Sequence, residues 1–176
     1  MRILYVCTAN ISRSPYAQVR TSELFEGQLQ AASAGIPGTT GRRMDPAMEA
    51  QLPFEDDEAL NHRSRVLSAE ILDASDLILT MEFAHHMRIL DAWPDSAHKV
   101  FGLRQFVDGI PSGGLPSGPE ESIRRAADLV TANSMMLDIE DPYGRGQRAA
   151  RDCAGRLDRL ILGLGVGLGC QPVPED

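Results

Sequence analysis

A thiol and a guanidinium stand six positions apart in Cys7-Thr8-Ala9-Asn10-Ile11-Ser12-Arg13-Ser14-Pro15. The segment follows an apolar run, Ile3-Leu4-Tyr5-Val6, that reads as a buried parallel strand. Ser14-Pro15 reads as a helix N-cap followed by proline at the first helical position. The chain between strand and helix must turn sharply, so its successive backbone N–H groups can converge on one point. Such a nest at a helix N-terminus binds an anion without any special side chain. Arg13 adds a fork that matches two oxygens of a phosphoryl group. The same positive field should lower the pKa of Cys7 and make it a thiolate nucleophile. A cysteine ending a buried strand is in general a small apolar filler. The strand before it, Asn10 within and Ser-Pro after it separate this one from that background.

Phosphoryl transfer to sulfur also needs a proton for the leaving oxygen. Asp141 is the candidate acid, in Ile139-Glu140-Asp141-Pro142-Tyr143-Gly144, where an Asp-Pro turn can present a carboxyl group. Glu140 and Asp138 compete by proximity, and Asp-Pro-Tyr-Gly is by itself simply a good turn. We expect no metal and no cofactor, because loop and arginine supply the charge stabilisation. His85 and His86 are adjacent, so their rings point apart on a helix, and both are expected to be exposed.

The elements that must hold these groups alternate between strand and helix patterns, which indicates an α/β fold with a parallel sheet. Strands are expected near 2–7, 29–33, 77–79 and 98–101. The sheet is thus a central, twisted, parallel one of about four strands, with helices on both faces and the phosphate loop after the first strand. Helices are expected at 15–25, from an Asp45 cap through 52, at 69–74 with Ser68 and Glu70 at its start, at 83–92, at 120–135 and at 146–164. Leu157, Leu160, Ile161 and Leu164 form a core stripe on the last of these. We expect one domain over residues 1–165, with a flexible Gly/Pro/Ser loop at 109–119 and a frayed tail at 166–176.

The 176 residues carry a net charge of −8, which argues against broad nucleic-acid binding. Arg42 and Arg43 read as a solvated face. No apolar run approaches the ~18 residues of a membrane span, and the first residues do not read as a signal peptide. Three cysteines fit a reducing, cytoplasmic setting rather than a disulfide framework.

The Cys7 loop resembles the signature of the low-molecular-weight protein tyrosine phosphatases. Ser33-Ala34-Gly35, Asp45-Pro46, His62-Arg63, Asp76-Leu77-Ile78-Leu79-Thr80-Met81-Glu82 and the Asp141 segment follow in that family's order. The resemblance implies a phosphatase acting on phosphotyrosine in proteins through a phosphocysteine, with Asp141 as acid and then base. It implies that phosphate, vanadate and similar oxyanions sit on residues 8–14, that Ser14 donates to the Cys7 thiolate, and that Ser33 and His62 brace Asn10. Tyr143 would line the substrate cleft. Departures matter too. Ser12 replaces a second cysteine common in the family's loop. Glu82 stands where Asp is usual, and no aromatic residue stands near Pro37. Ile11 suits a flat phenyl ring, whereas threonine at that place is associated with arginine phosphatases. The alternatives are an arsenate reductase using an external small thiol and a non-catalytic phosphate-binding module.

Overall fold

The computed structural model describes residues 1–53, 57–110 and 119–174. Arg2–Cys7 forms β1, and every residue after Arg2 is buried. A strand covered on both faces needs no polar alternation, hence the continuous apolar run. Successive side chains point to opposite faces, so β1 feeds two cores. Ile3, Tyr5 and Cys7 join one, and Leu4 and Val6 join the other.

The elements run β1 (Arg2–Cys7), α1 (Arg13–Leu24), β2 (Gln30–Gly35), α2 (Pro46–Glu49), α3 (Asp57–Asn61), α4 (Ala69–Asp73), β3 (Leu77–Thr80), α5 (Phe83–Ala92), β4 (Val100–Gly102), α6 (Leu103–Gly109), α7 (Pro119–Leu129) and α8 (Gly146–Gly167). The sheet order is β2-β1-β3-β4, all parallel. The chain leaves β1 for β2 on one side and returns to β3 on the other. That reversal makes the carboxyl end of β1 a switch point, where open α/β sheets bind ligands. Helices α1, α6 and α8 cover one face around Phe25, Phe106 and Leu157, while α4 and α5 cover the other around Leu72 and Ile89.

Several boundaries differ from the sequence reading. Helix α1 starts at Arg13, with Ser12 rather than Ser14 in the cap position. The Ser14 hydroxyl is turned to Cys7 Sγ, 3.0 Å away, and does not cap the helix. α7 stops at Leu129 instead of 135. There β-branched Val130 packs on Gly109, where a Cβ would lie 2.5 Å from Val130 Cγ1. α8 continues past 164 to Gly167, and the described residues beyond it, 168–174, are hydrogen-bonded to the body of the fold. The Val173 N–H donates to Leu24 O at 2.8 Å, and Gln171 exchanges two hydrogen bonds with Gln28. The late glycines do not end the helix but let it approach its neighbours. A Cβ on Gly165 would lie 2.0 Å from Phe25 Cζ. The loop expected at 109–119 falls mostly on 111–118, outside the described residues.

Candidate active site

The loop after β1 is held open at its backbone. None of the N–H groups of Thr8, Ala9, Asn10, Ile11 and Ser12 has an acceptor among the described residues. Backbone donors so placed are rare unless a ligand meets them. The loop's carbonyls, by contrast, are pinned. Cys7 O accepts from Ile36 N at 2.9 Å, Thr8 O from Gly38 N at 2.9 Å and Ile11 O from Asp45 N at 2.7 Å. Gly35 makes this fit possible, because a Cβ there would lie 2.8 Å from Thr8 O. The Ser12 hydroxyl is likewise buried and has no partner among the described residues.

Asn10 sets the turn. Its φ of 55° is in the left-handed region, which asparagine tolerates better than most side chains. The residue is fully buried, and every polar group but its N–H is bonded. Asn10 Nδ2 donates to Ser33 Oγ at 2.8 Å and to Ser14 Oγ at 3.1 Å. Asn10 Oδ1 accepts from Arg65 N at 2.9 Å, and Asn10 O accepts from His62 Nε2 at 2.7 Å. Ser33 Oγ in turn donates to Gln18 Oε1 at 2.6 Å. Gln18, on α1, therefore fixes the direction of the chain Asn10→Ser33→Gln18. Ser14 accepts from Asn10, so its own hydroxyl proton is left to donate, and Cys7 Sγ at 3.0 Å is a nearer acceptor than Ala34 O at 3.5 Å.

Arg13 lies in the same place with a side chain that is 1% exposed. Its Nη1 donates to Glu82 Oε1 and to Ile139 O, and its Nη2 donates to Asp141 Oδ2 at 2.8 Å. Nε is buried and has no partner among the described residues. A guanidinium has five N–H donors, and three are occupied here. The two left over belong to Nε and Nη2, the two nitrogens of one edge, which suits a pair of phosphoryl oxygens. Burial alone would lower the Arg13 pKa, but the negative charge of Cys7, Asp141 and Glu82 outweighs it and holds the group above its usual value.

Asp141 is half-buried. Its second oxygen accepts from Tyr143 N at 3.2 Å, as an Asx-type turn does. Tyr143 is exposed and meets Arg42, which donates to the phenol oxygen at 3.0 Å and lies 5.5 Å from the ring centroid. Arg42 is thus more than a solvated charge. It stands beside Tyr143 in a chain with no aromatic residue near Pro37. Ile11 is buried. Cys153 lies on α8, and burial pushes its thiol up to about 12, which leaves it protonated and inert. The nearby carboxylates Glu140 and Asp138 point elsewhere: Glu140 pairs with Arg145, and Asp138 accepts from Phe83 N.

The structure therefore brings Cys7, residues 8–14, Ser33, His62, Arg13, Asp141 and Tyr143 together at one end of the sheet. It also corrects the expectation that both adjacent histidines are exposed. His86 is half-buried, and His85 is 3% accessible, with its Nε2 2.9 Å from Thr8 Oγ1. Among the described residues, no group of His, Cys, Asp and Glu side chains is placed to hold a metal ion. Among them too, no helix is long and apolar enough to cross a membrane.

The family model for low molecular weight phosphotyrosine protein phosphatase matches residues 2–122. The chain belongs to that family. It is 38% identical over 99 residues to the low molecular weight protein-tyrosine-phosphatase Wzb of Salmonella typhi, covering 56% of this chain and 66% of that protein. It is 34% identical over 113 residues to a protein-arginine-phosphatase of Bacillus subtilis, covering 62% and 74%. Among solved structures, a C7S mutant of the YwlE arginine phosphatase, with a phosphorylated active-site serine, superposes with a TM-score of 0.72. That match has 26% identity and covers 93% of each chain.

Sequence reasoning missed Gln18 and His85 and gave Glu82 no role. Glu82 had a signal, since it follows a buried strand that ends beside β1. Gln18 and His85 had none, because their partners lie 15 and 77 residues away.

Proposed function

We propose that this protein is a cysteine-dependent protein phosphatase that hydrolyses phosphotyrosine through a phosphocysteine. The observation that carries this reading is the set of donors around Cys7 with no partner among the described residues: five consecutive backbone N–H groups and the Nε of Arg13. Donors fixed in advance around a developing charge stabilise it without reorganisation. The phosphorylated active-site serine of the YwlE mutant supports Cys7 as the phosphoryl acceptor.

The steps follow from the geometry. The Cys7 thiolate attacks phosphorus while Ser14 releases its hydrogen bond. The bond from phosphorus to the leaving oxygen breaks, and Asp141 gives that oxygen its proton. A water molecule then attacks the phosphocysteine and loses a proton to the Asp141 carboxylate. The phosphorus–sulfur bond breaks, returning the thiolate and releasing inorganic phosphate. Arg13 and the loop N–H groups hold the equatorial oxygens throughout.

A second reading, a phosphoarginine substrate, is favoured by the similarity to arginine phosphatases and by the lack of an aromatic residue near Pro37. Ile11 favours the first, because an apolar side chain at this loop position suits a phenyl ring better than a charged guanidinium. The deciding experiment is hydrolysis of an aryl phosphate, a phosphotyrosine peptide and a phosphoarginine peptide by wild type and Cys7→Ser, with chelator present. Turnover that needs Cys7 and prefers the aryl substrates supports the proposal. Turnover by Cys7→Ser would overturn the nucleophile, and a preference for the phosphoarginine peptide would overturn the substrate.

A further inference from the structure

His85 lies on α5, outside the catalytic steps above, yet its ring is buried against the first residue of the phosphate loop. Its Nε2 is 2.9 Å from Thr8 Oγ1, and its Nδ1 is buried with no partner among the described residues. Two arrangements of the proton satisfy the short contact. With the proton on Nδ1, Thr8 would donate to Nε2 and a buried N–H would be left unmet. With the proton on Nε2, the ring donates to Thr8, and Nδ1 leaves only a lone pair unmet. Orphaned N–H groups are the rarer and costlier of the two. The ring therefore donates. Burial also keeps it neutral, lowering its pKa to about 4 amid Glu82, Arg13, Arg88 and Asp141. Were it to gain a proton, Nε2 would still donate, so the direction of this bond does not change with pH.

Thr8 Oγ1 is then an acceptor toward His85, and its own proton must point elsewhere. Thr8 is exposed, and its carbonyl is fixed by Gly38 N at 2.9 Å, so the backbone that carries this hydroxyl is held. We propose that His85 is a positioning residue: it orients the Thr8 hydroxyl as a further donor to an oxygen of the bound phosphoryl group. This rests on the phosphatase reading for the identity of the ligand, but not for the geometry.

The test uses inorganic phosphate as the probe, measuring its binding by calorimetry and its inhibition of aryl phosphate hydrolysis. Thr8→Val and His85→Phe are each expected to weaken phosphate binding about tenfold, as loss of one hydrogen bond to a charged group does. The double variant should be no weaker than the worse single one, because both changes remove the same bond. Thr8→Ser and His85→Gln, which keep the hydroxyl and an N–H donor, should recover most of the loss. A purely structural His85 would lower the melting temperature without this coupling or rescue. Additive losses, or phosphate binding unchanged in Thr8→Val, would overturn the proposal. If wild type binds phosphate but does not hydrolyse the ester, the phosphatase reading fails while the calorimetric comparison still decides this one.

Discussion

Arg13 Nη2 donates to Asp141 Oδ2 at 2.8 Å, so the proposed phosphate clamp and the proposed acid are held by one hydrogen bond. A bound phosphate competes for the same guanidinium, so a filled loop loosens the hold of Arg13 on the Asp141 carboxyl. The pair couples the placement of the carboxyl group to the filling of the loop.

From this pairing, Asp141→Asn is expected to lower kcat by about 10²–10⁴-fold for phosphotyrosine, the range usual for a lost general acid. The loss should shrink for an ester whose leaving group needs no proton. Inorganic phosphate should bind at least as tightly, since the carboxylate no longer competes for Arg13. Steady-state rates across aryl phosphates of graded leaving-group acidity check this. An equal loss for every leaving group would remove Asp141 from the role.

Glu82 holds the other side of the guanidinium, with its own side chain 28% exposed against 1% for Arg13. Glu82→Gln leaves a buried cation short of one counter-charge, and breaking such a pair costs about 3–5 kcal/mol. Partial exposure of the carboxylate places the expectation at the low end. The catalytic effect should exceed what stability explains, because Nη1 keeps only Ile139 O and a neutral amide oxygen as partners and the free edge is aimed less firmly. We expect kcat/KM to fall about tenfold or more and Glu82→Asp to recover part of it. Chemical denaturation alongside rates on an aryl phosphate separates the two effects.

How much of this was legible in the sequence depends on the range of the contact. The Cys7 loop, the Asp-Pro turn and all four strands follow from local pattern, since each rests on a short run of residues whose types decide its conformation. Ser14 shows where local pattern misleads. Ser-Pro is a sound helix start, yet the hydroxyl serves Cys7 Sγ and the helix begins one residue earlier. His85 shows the same failure at longer range. Adjacent histidines on a ten-residue helix carry no sign that one faces a loop 77 residues away. The late glycines of α8 read as helix-breaking because their propensity is visible and the side chains packed on them, Val107, Phe25 and Ile110, are not.

Buried His85 also ties stability to pH. Its pKa is lowered from 6.5 to about 4, chiefly by burial. The unfolded chain therefore binds a proton between those values that the folded chain refuses. Stability from this residue is complete above about pH 6.5 and is lost as pH falls toward 4. At pH 5 the loss is about 2 kcal/mol relative to pH 7, by linkage. His86 is shifted in the same direction by burial, so the comparison must be with His85→Gln, which keeps His86. Urea unfolding at pH 7 and pH 5 should show a smaller difference for the variant. An equal difference would mean that His85 titrates normally.

Two glycines of α8 should respond in opposite ways to the same substitution. At Gly165 an added Cβ would lie 2.0 Å from Phe25 Cζ and 2.4 Å from both Cε atoms, against a ring that is fully buried. The ring cannot move without displacing α1, so Gly165→Ala is expected to destabilise by about 2–3 kcal/mol or more, as overpacking does. At Gly155 the nearest atom to an added Cβ is Arg159 Nη1 at 3.8 Å, which is ordinary contact. There only the helix preference for alanine acts, and Gly155→Ala should stabilise by about 0.5–1 kcal/mol. In a chain of this size each kcal/mol moves the melting temperature by roughly 2–4 °C. Thermal unfolding of the two variants should therefore shift in opposite directions. A rise for Gly165→Ala would mean that α8 can slide over Phe25, and that the close approach is not what holds this helix to α1.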